Sequence, residues 1–233
     1  MAIPQLLQAQ QRENVELAQQ SAALTTIDRA LKTLRRHLKM DVAFVSRFMP
    51  DHRLFRNVDS AAYPSPLQAG DLLPLHDGYC YKVVTGQLPR LIPDTSLCPE
   101  AMEIPATHQM PIGAHVSVPL VLHDGRIYGT LCCFSRHADP TLNERDLEIM
   151  NAFAELIASQ ISDEIRHNLD FSERLLRITE ALALREPAIV FQPIFAMADR
   201  QIVGLEALAR FGGEPKRSPD IWISEAADVG MRS

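Results

Sequence analysis

The chain has 233 residues, 46% of them hydrophobic, and a formal net charge of −6. That length fits one or two domains with a sizeable core, and the mild acidity argues against a basic nucleic-acid-binding surface. Four cysteines (Cys80, Cys98, Cys132, Cys133) do not make a disulfide framework at this length and fit reduced thiols. No apolar run approaches the roughly 18 residues that a membrane span needs. The Gln-rich N-terminus has no basic region followed by an apolar core, so it does not read as a signal peptide. A cytoplasmic location is expected, with neither a membrane nor a nucleic-acid polymer as partner.

Residues 5–39 read as helix. Leu6, Leu7, Val15 and Leu17 are sparse among polar residues, and a helix of that kind needs a partner. From Leu24 the pattern strengthens through Ile27, Leu31, Leu34 and Leu38, an apolar stripe that faces a core or a dimer seam. Residues 41–48 and 53–58 read as a strand pair around Pro50-Asp51-His52. A Pro- and Ser-rich loop follows, then a short helix from Gly78 to Val84 ended by Gly86, and a short strand at Leu91-Ile92-Pro93. The stretch with Pro99, Pro105 and Pro111 reads as irregular. Two strands, 114–122 and 127–135, flank Asp124-Gly125, a hairpin signal. Cys132 and Cys133 are neighbours in the second strand and are expected on opposite faces.

A long helix begins at Asp139-Pro140-Thr141, with Thr141 as cap and Glu144 completing a capping box. Leu147, Met150, Phe153, Ile157, Ile161 and Ile165 form its stripe. A charged patch at 163–167 precedes Phe171, Leu175, Leu176, Ile178 and Leu182, and Pro187 ends the helix. Residues 188–210 then read as two strands around a polar turn at 198–201. Glu206 lies in Leu205-Glu206-Ala207-Leu208, where a buried carboxylate needs a metal, a proton or a cation to offset its desolvation.

The order helix, two strands, loops with a small helix, two strands, helix resembles a GAF domain over about residues 20–165. The residues that carry this are Gly78-Tyr79-Cys80, Leu91-Ile92-Pro93-Asp94, Val116-Ser117-Val118-Pro119-Leu120 and Tyr128-Gly129-Thr130-Leu131. The resemblance implies a small-molecule sensor or dimerisation module with an unidentified ligand. Tyr79, Tyr81, His108, His115 and Tyr128 are candidates for its pocket. Phytochrome-like GAF domains attach a bilin through a cysteine just before a histidine. This chain has Thr107-His108 there, which argues against covalent bilin attachment.

Phe191-Gln192-Pro193-Ile194 and Gly204-Leu205-Glu206-Ala207-Leu208-Ala209-Arg210-Phe211 resemble the start of the EAL domain, the cyclic di-GMP phosphodiesterase family. The spacing of Gln192, Glu206 and Arg210 carries the likeness, with Pro219-Asp220-Ile221-Trp222-Ile223 as a further block. The chain departs from the family at Phe211, where Trp is usual, and at Ala227, where Glu is usual. The resemblance implies Glu206 as one ligand of Mg²⁺ or Mn²⁺, Gln192 and Leu208 beside the dinucleotide, and Arg210 paired with a phosphate. Residues 171–233 fall far short of the roughly 250 that such a barrel needs. One carboxylate cannot build a metal pair, so this chain is expected not to hydrolyse cyclic di-GMP by itself.

The expected fold class is α+β: a GAF-type antiparallel sheet with helices on one face, a long linker helix, then a truncated start of an EAL (β/α) barrel. The divisions are an N-terminal helical extension at 1–19, the GAF domain at 20–165, a linker or signalling helix at 166–187 and the EAL fragment at 188–233. A homodimer through the N-terminal and linker helices is expected. Two functions stand: the sensory module of a cyclic di-GMP phosphodiesterase, or a non-catalytic truncated regulator that binds a ligand or dimerises.

Overall fold

The computed structural model describes residues 26–61, 64–213 and 216–231. The expected extension at 1–19, with Leu6, Leu7, Val15 and Leu17, lies outside the described residues, as does Leu24. The chain divides into two compact units, Met1–Glu164 and Ile165–Ser233.

In the first unit, α1 runs over residues 26–37. Its stripe of Ile27, Leu31 and Leu34, with Leu38 just beyond, is buried, as helical spacing requires of a core-facing face. Then come β1 (Val42–Phe48), β2 (His52–Ser60), β3 (Leu72–Pro74), α2 (Tyr79–Val84) and β4 (Leu91–Ile92). A 3₁₀ turn (Thr95–Leu97) leads into α3 (Pro99–Met102) and α4 (Pro105–Gln109), followed by β5 (Ala114–Val121) and β6 (Ile127–Ser135). The strands make one antiparallel sheet in the order β3-β2-β1-β6-β5-β4. The β5–β6 turn holds Gly125 at φ +82, a left-handed conformation that glycine adopts without penalty.

Strand alternation sorts the sheet into two cores. Val42, Phe44, Phe55, Cys132 and Phe134 share one core with residues of α2, α3 and α4. On the opposite face the Cys133 thiol lies 3.9 Å from Met150 Sδ of α5 (Glu144–Ala183). Asn57 Nδ2 donates to Asp28 of α1 at 2.8 Å, and Arg35 of α1 pairs with Asp59. The two adjacent cysteines thus face opposite cores. Each fully buried Leu or Ile contributes roughly 1.5–3 kcal/mol over exposure.

The structure corrects several expectations. Helices cover both faces of the sheet, not one, because the stretch expected to be irregular folds into the 3₁₀ turn, α3 and α4. Pro99 and Pro105 stand in the first turns of α3 and α4, where the missing N–H is no loss. β3 was not expected at all. The capping box of α5 falls two residues later than Thr141 and Glu144. Asn143 Oδ1 accepts from Arg145 N, and Asp146 Oδ2 accepts from Asn143 N, each at 3.0 Å. Thr141 instead makes a turn on Asp139 Oδ1. The long helix expected from Thr141 to before Pro187 is present as α5, one helix of 40 residues, and the division between the units falls inside it.

In the second unit, the later turns of α5 are followed by β7 (Ala188–Phe195), β8 (Ile202–Arg210) and α6 (Pro219–Asp228). β7 and β8 form an antiparallel hairpin. Leu175, Ile178 and Ala181 of α5 bury against Trp222 and Val229, with Phe211 beside them. Arg177 and Arg217 both reach the Glu225 carboxylate. The hairpin itself stays open, with Phe191, Ile194, Val203 and Leu205 at least half exposed. Among the described residues no helix is long and apolar enough to cross a membrane.

Candidate functional site

A cavity lies between the sheet and the short helices of the first unit. Its apolar wall is built from Phe44, Phe55 and Phe134 of the strands with Leu67 and Met110. Its polar groups are Arg53 on β2, Tyr79 and Cys80 on α2, and His115 on β5. The room for the centre of a water-sized sphere is about 20 Å³, enough for about one water.

Each polar group has a distinct chemical state. Arg53 is 5% exposed. It lies on the same strand face as Phe55, with its guanidinium carbon 5.4 Å from that ring. Among the described residues its Nε has no hydrogen-bond partner. His115 is 1% exposed, and its ring lies 4.3 Å from that of Tyr79. Burial, with the charge of Arg53, pushes the His115 pKa down to about 3, so the imidazole is neutral, and among the described residues its Nδ1 has no partner. The Thr107 hydroxyl donates to the Ala101 carbonyl, so Tyr79 O–H donates to Thr107 Oγ1 at 2.6 Å. Burial raises the Tyr79 pKa.

Cys80 and Cys132 meet beneath the cavity with their sulfurs 3.6 Å apart. Ser117, Thr130 and Ser46 hydroxyls extend this polar cluster across β5, β6 and β1. The Cys132 hydrogen bond and then the Arg53 charge pull Cys80 down, while burial drives Cys132 up. Cys133 on the other face is pushed up by burial among apolar groups.

Of the five pocket candidates, the structure brings Tyr79 and His115 to the cavity. Tyr81 packs edge-on against His76 at 4.5 Å. His108 is exposed, and its Nε2–H donates to the Met102 carbonyl at 2.9 Å. Tyr128 accepts from Arg56 at 3.4 Å and lies under Arg47. Sequence reasoning missed Arg53. Strand alternation from Phe55 was the available signal, since two residues apart on a strand face the same side.

In the second unit, Gln192 pairs directly with Glu206, Val190 with Leu208 and Ala188 with Arg210. Gln192, Glu206, Leu208 and Arg210 therefore share one face of the hairpin. Glu206 is exposed, not buried as its apolar neighbours implied, because neither face of the hairpin is covered. Among the described residues no group of three or more His, Cys, Asp or Glu could hold a metal ion. A lone exposed carboxylate does not fit Mg²⁺ or Mn²⁺, which take several oxygen ligands.

The GAF domain family model matches residues 22–161. Comparison with the curated proteins gives no match. Among solved structures, the phycoerythrobilin-bound GAF domain of a cyanobacterial phytochrome is similar with a TM-score of 0.53 at 16% identity, over 68% of this chain and 95% of that one. The GAF domain region of a Geobacter sulfurreducens PCA protein has a TM-score of 0.51 at 16% identity, over 62% and 96%. Residues 122 to 287 of a methyl-accepting chemotaxis protein have a TM-score of 0.50 at 20% identity, over 61% and 90%. At these identities the likeness is one of fold. The family match spans more than half of the sequence, and on it the chain belongs to the GAF domain family of sensory modules.

Proposed function

We propose that this chain is the sensory and dimerising module of a bacterial-type cyclic di-GMP signalling protein. Its GAF domain takes a small molecule in the Arg53–His115 cavity, and α5 couples that state to an EAL phosphodiesterase domain opening at residue 188. The observation that supports this best is the continuity of α5, which supplies Met150 to the GAF core and Leu175 and Ile178 to the core of the second unit. A shift at the cavity floor reaches the helix through Cys132 and its neighbour Cys133, which touches Met150. Packed cores transmit such shifts because they deform little.

The EAL half of the proposal draws on the shared face of Gln192, Glu206, Leu208 and Arg210. In a complete domain Glu206 would be one ligand of Mg²⁺ or Mn²⁺, Arg210 would hold a phosphate, and Gln192 and Leu208 would lie beside cyclic di-GMP. The dimer half draws on Leu169 and Leu176, exposed and one heptad apart on α5. Such spacing suits a helix–helix seam.

Two measurements test the proposal. Sedimentation of the purified chain is expected to give a dimer that Leu169→Glu with Leu176→Glu converts to monomer; a wild-type monomer overturns the dimer. The reading frame after the codon for Ser233 is expected to continue with further acidic motifs through the balance of a roughly 250-residue barrel. An immediate stop overturns the enzymatic coupling.

A further inference from the structure

The GAF cavity contains a cation with no carboxylate in its lining. Arg53 is 5% exposed, and its Nε has no partner among the described residues. A buried guanidinium is costly unless a counter-charge and hydrogen bonds offset it. The internal group nearest to an acid is Cys80, but its hydrogen-bond partner is Cys132 at 3.6 Å, which leaves the guanidinium fork open. The surroundings also make room for the fork. A Cβ added at Gly78 would lie 1.3 Å from Arg53 Nη1, although Gly78 has an extended backbone, φ −123 and ψ 159, that any residue adopts.

We propose that this cavity binds a small carboxylate monoanion, its two oxygens held by the Arg53 guanidinium and its apolar end against Phe44, Phe55 and Phe134. The planar fork of arginine matches a carboxylate in two parallel hydrogen bonds. The unpartnered Nδ1 of His115 supplies a further hydrogen-bonding atom. His115 is held neutral, and the Cys132 hydrogen bond and the Arg53 charge pull the Cys80 thiol down, so Arg53 offers at most one positive charge, and a phosphate dianion would leave buried charge uncompensated. Size selects a short chain. The cavity has room for about one water, and Met110, an unbranched and adaptable side chain, is the wall that gives way. This inference rests on the sensory reading of the GAF domain and names the ligand class it senses.

Sodium propionate is the probe, measured by calorimetry at pH 7 on the full chain, with sodium chloride and sodium phosphate at matched ionic strength. One propionate per chain is expected, with no comparable heat from chloride or phosphate. Arg53→Met is expected to weaken binding roughly tenfold to a hundredfold. Gly78→Ala is expected to weaken binding while keeping the charge, by displacing the guanidinium. Equal binding of phosphate or unchanged binding in Arg53→Met overturns the proposal. The two readings fail separately. If propionate does not bind but a neutral molecule does, this inference falls and the sensory reading stands. If propionate binds through Arg53 but leaves hydrogen exchange along α5 unchanged, the site stands and the sensory coupling falls.

Discussion

Gln192 stands directly opposite Glu206 across the β7–β8 ladder, with both side chains open to solvent. A carboxylate so placed carries little folding energy. Glu206→Gln is expected to change the stability of this chain by under about 0.5 kcal/mol. The wild-type chain with Mg²⁺ or Mn²⁺ is expected to leave cyclic di-GMP intact over hours, read as linear dinucleotide by chromatography. Turnover that Glu206→Gln abolishes would mean that this hairpin already forms a working metal site.

The ring of Phe211 stacks on that of Trp222 at 5.1 Å and 8°, and Trp222 is 2% exposed. Trp222 is the sole tryptophan of the chain, so its emission reports the second unit alone. Phe211→Ala is expected to cost roughly 1–3 kcal/mol in the tryptophan-detected unfolding transition. The transition of the GAF unit, followed in far-UV circular dichroism where the six-stranded sheet contributes, should stay in place. Equal shifts in both signals would show that the two units unfold as one.

His115 gives the GAF unit a dependence on pH whose sign follows from burial. The folded imidazole stays neutral down to about pH 3, whereas in the unfolded chain it takes a proton near 6.5. Between those values the unfolded state binds more protons, so stability is fully present above pH 6.5 and is lost as pH falls toward 3. The slope from this group is about 1.4 kcal/mol per pH unit. His115→Phe keeps the stacking on Tyr79 and removes the titration. Urea unfolding between pH 4.5 and 7 should be less steep in pH for that variant by about this slope; identical slopes would place the proton elsewhere.

Arg56 donates to Glu164 at 2.6 Å and to the Tyr128 hydroxyl at 3.4 Å. Both members of the ion pair are partly buried, at 13% and 18% side-chain exposure, which sets it apart from a solvated surface pair. A double-mutant cycle of Arg56→Met and Glu164→Gln is expected to give a coupling of about 1 kcal/mol or more. Additive single effects would remove this pair as the clamp of α5 on the sheet.

The elements most legible in the sequence are those with both a period and a punctuation mark. β6 runs over the expected residues 127–135 because its apolar run follows Asp124-Gly125, and the β7–β8 hairpin appears because β-branched runs flank a polar turn. α3 and α4 escaped because four- and five-residue helices show no period, and their only marks, Pro99 and Pro105, also read as loop. β3 is a three-residue edge strand with no alternation to read. The cavity was half legible. Tyr79 and His115 stand out as polar residues in apolar company, whereas Arg53 reads as a solvated strand residue until its register with Phe55 turns it inward. Glu206 failed in the other direction: an apolar neighbourhood in sequence does not bury a side chain when no second layer covers the hairpin.

Native mass spectrometry of the freshly purified full chain, beside Arg53→Met, tests the central claim most directly, since it reports subunit number and bound small molecules together. A dimer carrying one small acid per chain is predicted for the wild type, and a dimer without it for the variant. A ligand-free mass for the wild type, as for the variant, would contradict a GAF sensor built on Arg53.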